Sequence, residues 1–271
     1  MIRLIQKEEI ASLLPFLEQD ALGCRIGSAL LCYQRTPFLD VWVQEEVSGI
    51  QAVLCRLDGA MTILDTGKAD RLEQKAFCHA VGFSSLTASS YAVTGLGLTP
   101  LASGMAMRFS PPSDKPTEDG AFGCTDPPGQ CFPSIYWGGS PRLYYPILEQ
   151  CQGDGIQLPP FDTWYVDCSH RMRRGWMRGG IVKQAEENIG CILAVETPHT
   201  ALITGVAVAP AFQKQGIGKR MVEAFAAVLS AEGKTCFLLC RDPLTGFYHS
   251  LGFQAAGRWA VVSSPSKEAF L

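Results

Sequence analysis

Short apolar runs and longer helical periods alternate along the C-terminal half of the chain. Residues 201–208 form an apolar run typical of a strand buried on both faces. A helix is predicted after this strand, because apolar residues recur at helical spacing at Ile217, Met221, Phe225 and Val228. Gly233 is placed to end this helix. The same patterning predicts strands at 177–183, 189–196 and 235–240, and helices at 141–151 and 161–173.

The N-terminal half shows a similar order of elements. Residues 7–33 predict helical structure broken near Gly23 and Gly27, and Leu96-Gly97-Leu98 stands 155 residues before Leu251-Gly252-Phe253. That offset also places the run 103–109 over 258–264. The other predicted elements are strands at 38–44, 50–56, 61–64 and 86–90 and a helix at 69–81. The chain is therefore interpreted as two halves that repeat one order of helices and strands. The alternative is that the N-terminal half is an unrelated α/β domain.

A segment rich in proline and glycine, residues 111–133, separates the two halves. It has almost no apolar periodicity, which is typical of a connector. The predicted organisation is a domain at 1–110, a connector at 111–133 and a second domain at 134–271.

The most informative motif is Gln213-Lys214-Gln215-Gly216-Ile217-Gly218, between the 201–208 strand and its helix. Two glycines at a helix start leave backbone N–H groups unpaired and accessible, so the motif suits a pyrophosphate. A P-loop is excluded because Gln213 and Arg220 stand where glycine and Ser or Thr are needed. Met221 replaces the third glycine of a dinucleotide fingerprint. An ordinary strand-to-helix turn is the remaining alternative.

A second motif, Phe247-Tyr248-His249-Ser250-Leu251-Gly252-Phe253, follows the 235–240 strand. The order of strand, Q-x-x-G-x-G, helix, strand and F-Y-x-x-L-G-F resembles the GNAT acyltransferase family. The resemblance is specific over about residues 189–254 and extends less specifically back to about 134. It implies an α/β fold with a mixed sheet of the α+β type and two GNAT-like domains, of which the C-terminal one carries the acetyl-CoA site.

The N-terminal half is then a degenerate GNAT-like domain. Shifted back by 155 residues, the cofactor loop falls on residues 58–63, which contain no Q-x-x-G-x-G, and Thr66-Gly67-Lys68 supplies none either. This half is expected to cap its helix N-terminus internally, to bind no cofactor and to wall the acceptor site. One CoA per chain is the expected stoichiometry.

The resemblance also implies roles for individual residues. Tyr248 would give a proton to the departing thiolate. The general base is left open because Leu202 and Thr204, at the strand positions used by some relatives, cannot serve. Glu196 and His199 are the nearest titratable candidates. The expected cofactor-binding residues are Val206, Ala207 and Val208 for the thioester and pantetheine arm, and Gln213, Lys214, Gln215, Gly216, Ile217, Gly218 and Lys219 for the pyrophosphate.

Aromatic residues in the two opening helices of the C-terminal half allow two interpretations. They line an acceptor cleft, or they pack in the helix core, which is the commoner role of such residues. The residues are Tyr144, Tyr145, Phe161, Trp164 and Tyr165.

Composition narrows the function classes. With 271 residues and a net charge of −3, the chain lacks the basic surface of a sequence-independent nucleic-acid binder. No apolar run reaches membrane-spanning length and the N-terminus shows no signal-peptide pattern. Eleven cysteines without a Cys-x-x-Cys pair fit reduced thiols in the cytoplasm. The four histidines show no metal-ligand spacing, so no metal site is expected.

Two functions are compatible with this pattern. The first is an acyltransferase that moves an acetyl group from acetyl-CoA, as co-substrate, to a primary amine of a small molecule or peptide by direct attack in a ternary complex. The alternative is a non-catalytic acyl-CoA-binding or interaction protein. The sequence identifies neither the acceptor nor the oligomeric state.

Overall fold

The computed structural model describes residues 1–34, 36–110, 134–153 and 158–264, which contain eight α-helices and twelve β-strands. The helices are α1 (Ile10–Leu17), α2 (Ala21–Tyr33), α3 (Arg71–Val81), α4 (Ser90–Gly95), α5 (Tyr145–Gln150), α6 (Phe161–Arg173), α7 (Ile217–Ala231) and α8 (Thr245–Ser250). The strands are β1 (Ile2–Leu4), β2 (Leu39–Glu46), β3 (Gly49–Leu57), β4 (Ala60–Asp65), β5 (Ser85–Ser89), β6 (Ala102–Phe109), β7 (Ile135–Trp137), β8 (Met177–Gln184), β9 (Glu187–Glu196), β10 (Thr200–Val208), β11 (Thr235–Cys240) and β12 (Phe253–Ser263).

All twelve strands form one mixed sheet in the order β1-β2-β3-β4-β5-β12-β6-β11-β10-β9-β8-β7. Two neighbouring pairs are parallel, β4 with β5 and β10 with β11. Each parallel pair is joined by a crossover helix, α3 in the first case and α7 in the second. The two halves of the chain therefore repeat one arrangement of strands and helices, and the fold is mixed α/β.

The halves exchange their terminal strands at the centre of the sheet. Strand β6 follows β5 and α4 along the chain but pairs with β11 of the C-terminal half, with Phe237 opposite Arg108. Strand β12 pairs with β5 of the N-terminal half, with Trp259 opposite Ser89. The two exchanged strands pair with each other between these contacts. Each half thus completes its sheet with the last strand of the other.

Helix α2 joins the halves on one face of the sheet. The Ser28 hydroxyl donates to the Trp176 carbonyl over 3.2 Å, and the Tyr33 hydroxyl donates to Asp167 over 2.6 Å. Cys24 packs with α5, α6 and the Leu202 side of β10, whereas α7 packs on the opposite face against Ala201 and Ile203. This alternation along β10 is the period-2 pattern of a strand buried on both faces.

The predicted break in the first helical region was misplaced. Gly23 and Gly27 lie inside α2, and the chain turns instead between Leu17 and Ala21, where the Asp20 carboxylate accepts from the Leu22 N–H over 2.7 Å. A Cβ at Gly23 would lie 2.0 Å from the Leu17 carbonyl oxygen. This glycine is therefore needed for close helix packing and does not end a helix.

Most other predicted elements lie within a few residues of the observed ones, whereas β1, β7 and α4 were not predicted. The predicted connector 111–133 lies outside the described residues, and the domain boundaries stay a prediction. In the described part of the chain, no helix is long and apolar enough to cross a membrane.

Candidate functional site

The parallel strands β10 and β11 separate part-way along their length. They pair from Thr200 to Ile203, and no pairing continues beyond that point. On its other side, β10 contains a bulge between Thr204 and Ala207 in its register with β9, where Gly205 adopts a left-handed φ of 52°. A bulge bends its strand. The bend opens a cleft between β10 and β11 and leaves one edge of β10 without a strand partner.

Backbone amides of β10 face this cleft. The Ala209 N–H donates to the Ile189 carbonyl over 2.8 Å, and Ala207 pairs with Cys191 in the same ladder. Because ladder groups alternate along an antiparallel strand, the Ala207 N–H points at β9 and the Val208 N–H points away from it. Val206 lies within the bulge, and both valines line the cavity beside the cleft. Their assignment as cofactor-binding residues stays a prediction.

The N-terminus of α7 lies beyond the end of β10 and has open N–H groups. Gly216 is its N-cap residue, with a left-handed φ of 82°, and no side chain caps the helix. The Arg220 N–H is the first to reach an intrahelical partner, donating to the Gly216 carbonyl over 3.1 Å. The Gln213 side chain donates to the Val208 carbonyl over 3.0 Å and ties the loop to the strand. This helix terminus suits a phosphate group.

The corresponding helix in the N-terminal half, α3, has a different terminus. The Asp70 carboxylate accepts from the N–H groups of Leu72 and Glu73 over 2.9 and 3.2 Å. The expectation of internal capping in this half is confirmed. The constant offset of 155 residues was wrong for the loop, because residues 58–63 form the β3–β4 turn and part of β4. The counterpart of the cofactor loop is the link between Asp65 and Arg71.

A cavity of about 900 Å³ adjoins the cleft and is walled by both halves of the chain. The C-terminal half contributes β10, the end of β11, Tyr248, and residues of α5 and α6. The N-terminal half contributes α2, β3 and β4 through Arg25, Ile26, Ala29, Cys55, Leu57, Ala60 and Thr62.

Tyr248 lines this cavity. Its side chain is buried and its ring packs edge-on against Phe247 and Phe253, with centroids 5.0 and 6.0 Å away. Within the described residues its hydroxyl makes no hydrogen bond. Burial raises the pKa of Tyr248 to about 12, so the phenol is neutral and holds its proton at physiological pH. The group is a proton donor without a competing partner.

Glu196 and His199 lie at the opposite end of β10, and neither lines the cavity. The buried Glu196 carboxylate accepts from Arg178 over 2.5 Å and from the Lys234 ammonium. Arg178 in turn pairs with Glu232 over 2.6 Å. Glu196 is therefore the shared anion of this ion-pair cluster, and its role and that of His199 as candidate bases stay a prediction.

The thiols in the cavity wall are poor nucleophiles. Burial raises the pKa of Cys55 and of Cys168 to about 12, and it also raises the pKa of Cys151 and Cys240. A neutral thiol attacks a thioester slowly, since the thiolate is the reactive form. The nine described cysteines are free, with no disulfide among them.

The aromatic residues of α5 and α6 pack mainly on each other. Tyr145 contacts Phe161 and Trp164 edge-on at 5.1 and 5.2 Å, and the Tyr144 hydroxyl donates to the Gly138 carbonyl over 2.6 Å. Of the five aromatic candidates, Trp164 lines the cavity. The core-packing interpretation therefore fits Tyr144 and Tyr145, and the cleft-lining one fits Trp164.

Comparison with known proteins agrees with this geometry. Residues 178–255 match the family model described as an acetyltransferase (GNAT) domain. This chain carries a GNAT domain. It extends from β8 into β12 and contains the cleft, the α7 terminus and Tyr248. No curated protein sequence matches the chain.

The fold of the whole chain resembles that of solved GNAT proteins, one of which is a tandem GNAT protein. A tandem GNAT protein from the clavulanic acid biosynthesis pathway superposes with a TM-score of 0.58 at 13% identity, over 98% of this chain and 100% of that one. A GCN5-related N-acetyltransferase from Sphaerobacter thermophilus gives 0.56 at 14% identity, over 96% and 94%. A GNAT-family acetyltransferase from Colwellia psychrerythraea gives 0.52 at 11% identity, over 98% and 100%. At these identities the likeness shows the fold alone.

The described cavity wall contains four charged residues, Arg25, Asp167, Arg171 and Arg241, none of which was among the predicted site residues. Arg25 could have been noticed in the sequence, because it is the one charged residue in the otherwise uncharged helix α2. No group of three or more His, Cys, Asp or Glu side chains in the described part is arranged to hold a metal ion.

Proposed function

We propose that the GNAT domain transfers an acetyl group from acetyl-CoA to a primary amine of a small molecule or peptide. The observation that carries the proposal is the open edge of β10, which connects the uncapped α7 terminus with the cavity containing Tyr248. A pyrophosphate at α7 and a pantetheine arm along β10 would deliver a thioester to that cavity.

The residues of the α7 terminus and of β10 suit acetyl-CoA. The pyrophosphate would accept from the loop and first-turn N–H groups of residues 214–219, where Gly216 and Gly218 present no side chain. A Cβ at Gly218 would come within 3.7 Å of Val208 alone, which leaves space on the ligand side of the loop. The amides of Val206 and Val208 would bind the pantetheine arm and the thioester carbonyl.

The transfer itself is a single displacement. The amine nitrogen attacks the thioester carbonyl carbon, the C–S bond breaks with its electron pair on sulfur, and the Tyr248 hydroxyl gives its proton to that sulfur. The proton lost by the amine restores the phenol through solvent. Direct attack is favoured over an acyl-cysteine intermediate because burial keeps the wall thiols neutral.

The amine can be deprotonated without a dedicated base. Neither histidine nor glutamate lines the described part of the cavity, and its one carboxylate, Asp167, is bound by Arg171 and Tyr33. Cationic neighbours lower the pKa of a bound ammonium group. The arginines of the cavity wall would therefore favour the free amine that attacks.

A panel of primary amines tests the proposal with full-length protein. Acetyl-CoA and each amine are incubated together, and the release of CoA thiol is recorded alongside the mass of the acceptor. At least one amine is expected to gain one acetyl group at a rate that depends on Tyr248. Tight acetyl-CoA binding without acetylation of any amine would instead favour the non-catalytic acyl-CoA-binding alternative.

A further inference from the structure

The cavity beside the cleft carries more positive than negative charge. Its described charged wall residues are three arginines and one aspartate, namely Arg25, Arg171, Arg241 and Asp167. Arg171 and Asp167 neutralise each other, with Nε and Oδ1 at 2.8 Å. Arg171 also donates to the Ser28 hydroxyl over 2.9 Å, so its guanidinium is engaged on two sides. The positive charge that remains belongs to Arg25 and Arg241.

Arg25 has no partner for its charge among the residues that the structure describes. Within the described residues its guanidinium makes neither a hydrogen bond nor an ion pair, although it is accessible and lines the cavity. Because the side chain is exposed, water solvates its charge, and an anion that enters the cavity can reach the guanidinium. Arg241 adds to this imbalance because its buried Nε has no hydrogen-bond partner either.

The pyrophosphate site does not account for Arg25. Helix α7 packs on the face of the sheet that holds Ala201 and Ile203, whereas α2 packs on the other face with Leu202. A ligand bound through α7 and passing between β10 and β11 would present its thioester towards the α2 side. Arg25 and the open edge of β10 therefore line the same cavity, in which the acceptor would meet the thioester.

The position of Arg25 is fixed by the docking of α2. The neighbouring Cys24 donates its S–H to the Val195 carbonyl at 3.8 Å, and Ser28 bonds the Trp176 carbonyl one turn later. These contacts hold the N-terminal helix on the GNAT domain. They fix the Arg25 backbone at the cavity wall, and the planar guanidinium that extends from it suits bidentate pairing with an oxyanion.

We infer that the acceptor amine carries an oxyanion, a carboxylate or a phosphate monoester, which pairs with Arg25 in the cavity. This inference rests on the proposed function and names its substrate class. It makes the half without a cofactor loop the source of acceptor specificity. Arg25 is a substrate-binding residue on this account and takes no part in the proton transfer.

Matched acceptors test the inference by kinetics. β-Alanine is compared with β-alaninamide, and phosphoethanolamine with ethanolamine, which separates the carboxylate from the phosphate source. The wild type is expected to prefer the anionic member of at least one pair. Charge-assisted hydrogen bonds of this kind correspond to about a tenfold to hundredfold effect. Arg25→Gln should reduce that preference at least about tenfold, while Arg25→Lys retains part of it.

An outward-facing arginine provides the matched control. Arg173 is exposed on α6 and does not line the cavity, so Arg173→Gln changes the net charge equally and should keep the preference of the wild type. Equal efficiency of the wild type on both members of each pair overturns the inference and leaves the proposed function standing.

A binding measurement without an amine separates the two proposals. Glutarate and inorganic phosphate are titrated in a thermal-shift assay, and at least one should raise the Tm of the wild type more than that of Arg25→Gln. Because the variant removes an unpaired cation, its own Tm should equal or exceed that of the wild type. Arg25-dependent binding without transfer to any amine would sink the proposed function but support the anion site. Identical shifts in both proteins would overturn the site.

Discussion

The Tyr248 hydroxyl is the single group that we expect to affect turnover without affecting cofactor binding. Its loss in Tyr248→Phe removes a proton that is needed only as the thiolate leaves. We expect kcat to fall by at least about tenfold, with the Kd for acetyl-CoA unchanged within about twofold. Steady-state kinetics and calorimetry on the same preparation measure both. Tyr91→Phe, an exposed tyrosine of the N-terminal half, is the control. Equal kcat in Tyr248→Phe and wild type would reduce Tyr248 to a packing residue.

The pH dependence of turnover follows from the burial of the same phenol. Because burial raises the pKa of Tyr248 to about 12, its neutral form is favoured by the folded state. The resulting stability is present below the ordinary tyrosine pKa of about 10 and is lost as the pH rises towards 12. We expect kcat to show no loss from ionisation of Tyr248 up to about pH 10.5. A descending limb centred near pH 10 that disappears in Tyr248→Phe would contradict this assignment.

Glu196 is expected to contribute to the stability of the fold and not to the acetyl-transfer reaction. Glu196→Gln would leave Arg178 and Lys234 without their shared buried carboxylate. Breaking a buried ion pair in this way costs about 3 kcal/mol, although Arg178 is partly exposed and retains Glu232. Urea unfolding should show the loss, and kcat per folded molecule should match the wild type. A variant that is fully stable and inactive would restore Glu196 as a candidate base.

Helices α3 and α7 occupy equivalent places in the two halves of the chain but differ at their N-termini. Asp70→Ala removes the side-chain cap of α3 and should lower stability by about 1 kcal/mol. Acetyl-CoA affinity should remain unchanged because α7 has no such cap and lies in the other half. Denaturation and calorimetry on this variant check both statements. A large loss of affinity would mean that α3 also contributes to a cofactor site.

Elements with strong periodicity could be predicted from the sequence, and so could the position of the glycine-containing loop between β10 and α7. The long helix of residues 217–231 has an apolar stripe, and the glycine pattern at its start is local in the chain. The break in the first helical region could not be placed, because Gly23 is required by the approach of the Leu17 carbonyl, a contact between two helices. Arg25 was overlooked because its significance depends on the cavity that it faces.

The whole-molecule arrangement depends on pairings that no local pattern specifies. Strand β6 pairs with β11 of the C-terminal half, and β12 pairs with β5 of the N-terminal half. The periodicity of a strand determines which face is buried but not which neighbour it takes. The exchange makes the two halves depend on each other, which the repeat alone did not indicate.

A fragment of residues 134–271 tests this dependence. It lacks β6, so one edge of β11 would be unpaired, and β12 would lose both of its neighbours. Unpaired edges promote aggregation. We expect the fragment to aggregate or to bind acetyl-CoA weakly, and co-expression with residues 1–110 to restore a soluble complex. Size-exclusion chromatography distinguishes these outcomes, and full activity of the fragment alone would refute the arrangement.

Calorimetric titration of acetyl-CoA into the full-length chain counts the cofactor sites and measures their affinity. We expect one site per chain in the wild type and a Kd raised more than tenfold in Gly218→Val, whose side chain would occupy the approach to the α7 terminus. The control variant Gly218→Ala adds only a Cβ, which lies near Val208, and its Tm reports whether a substitution at this position preserves the fold. Two acetyl-CoA molecules per chain, or unchanged affinity in a folded Gly218→Val, would contradict a single cofactor site in the C-terminal half.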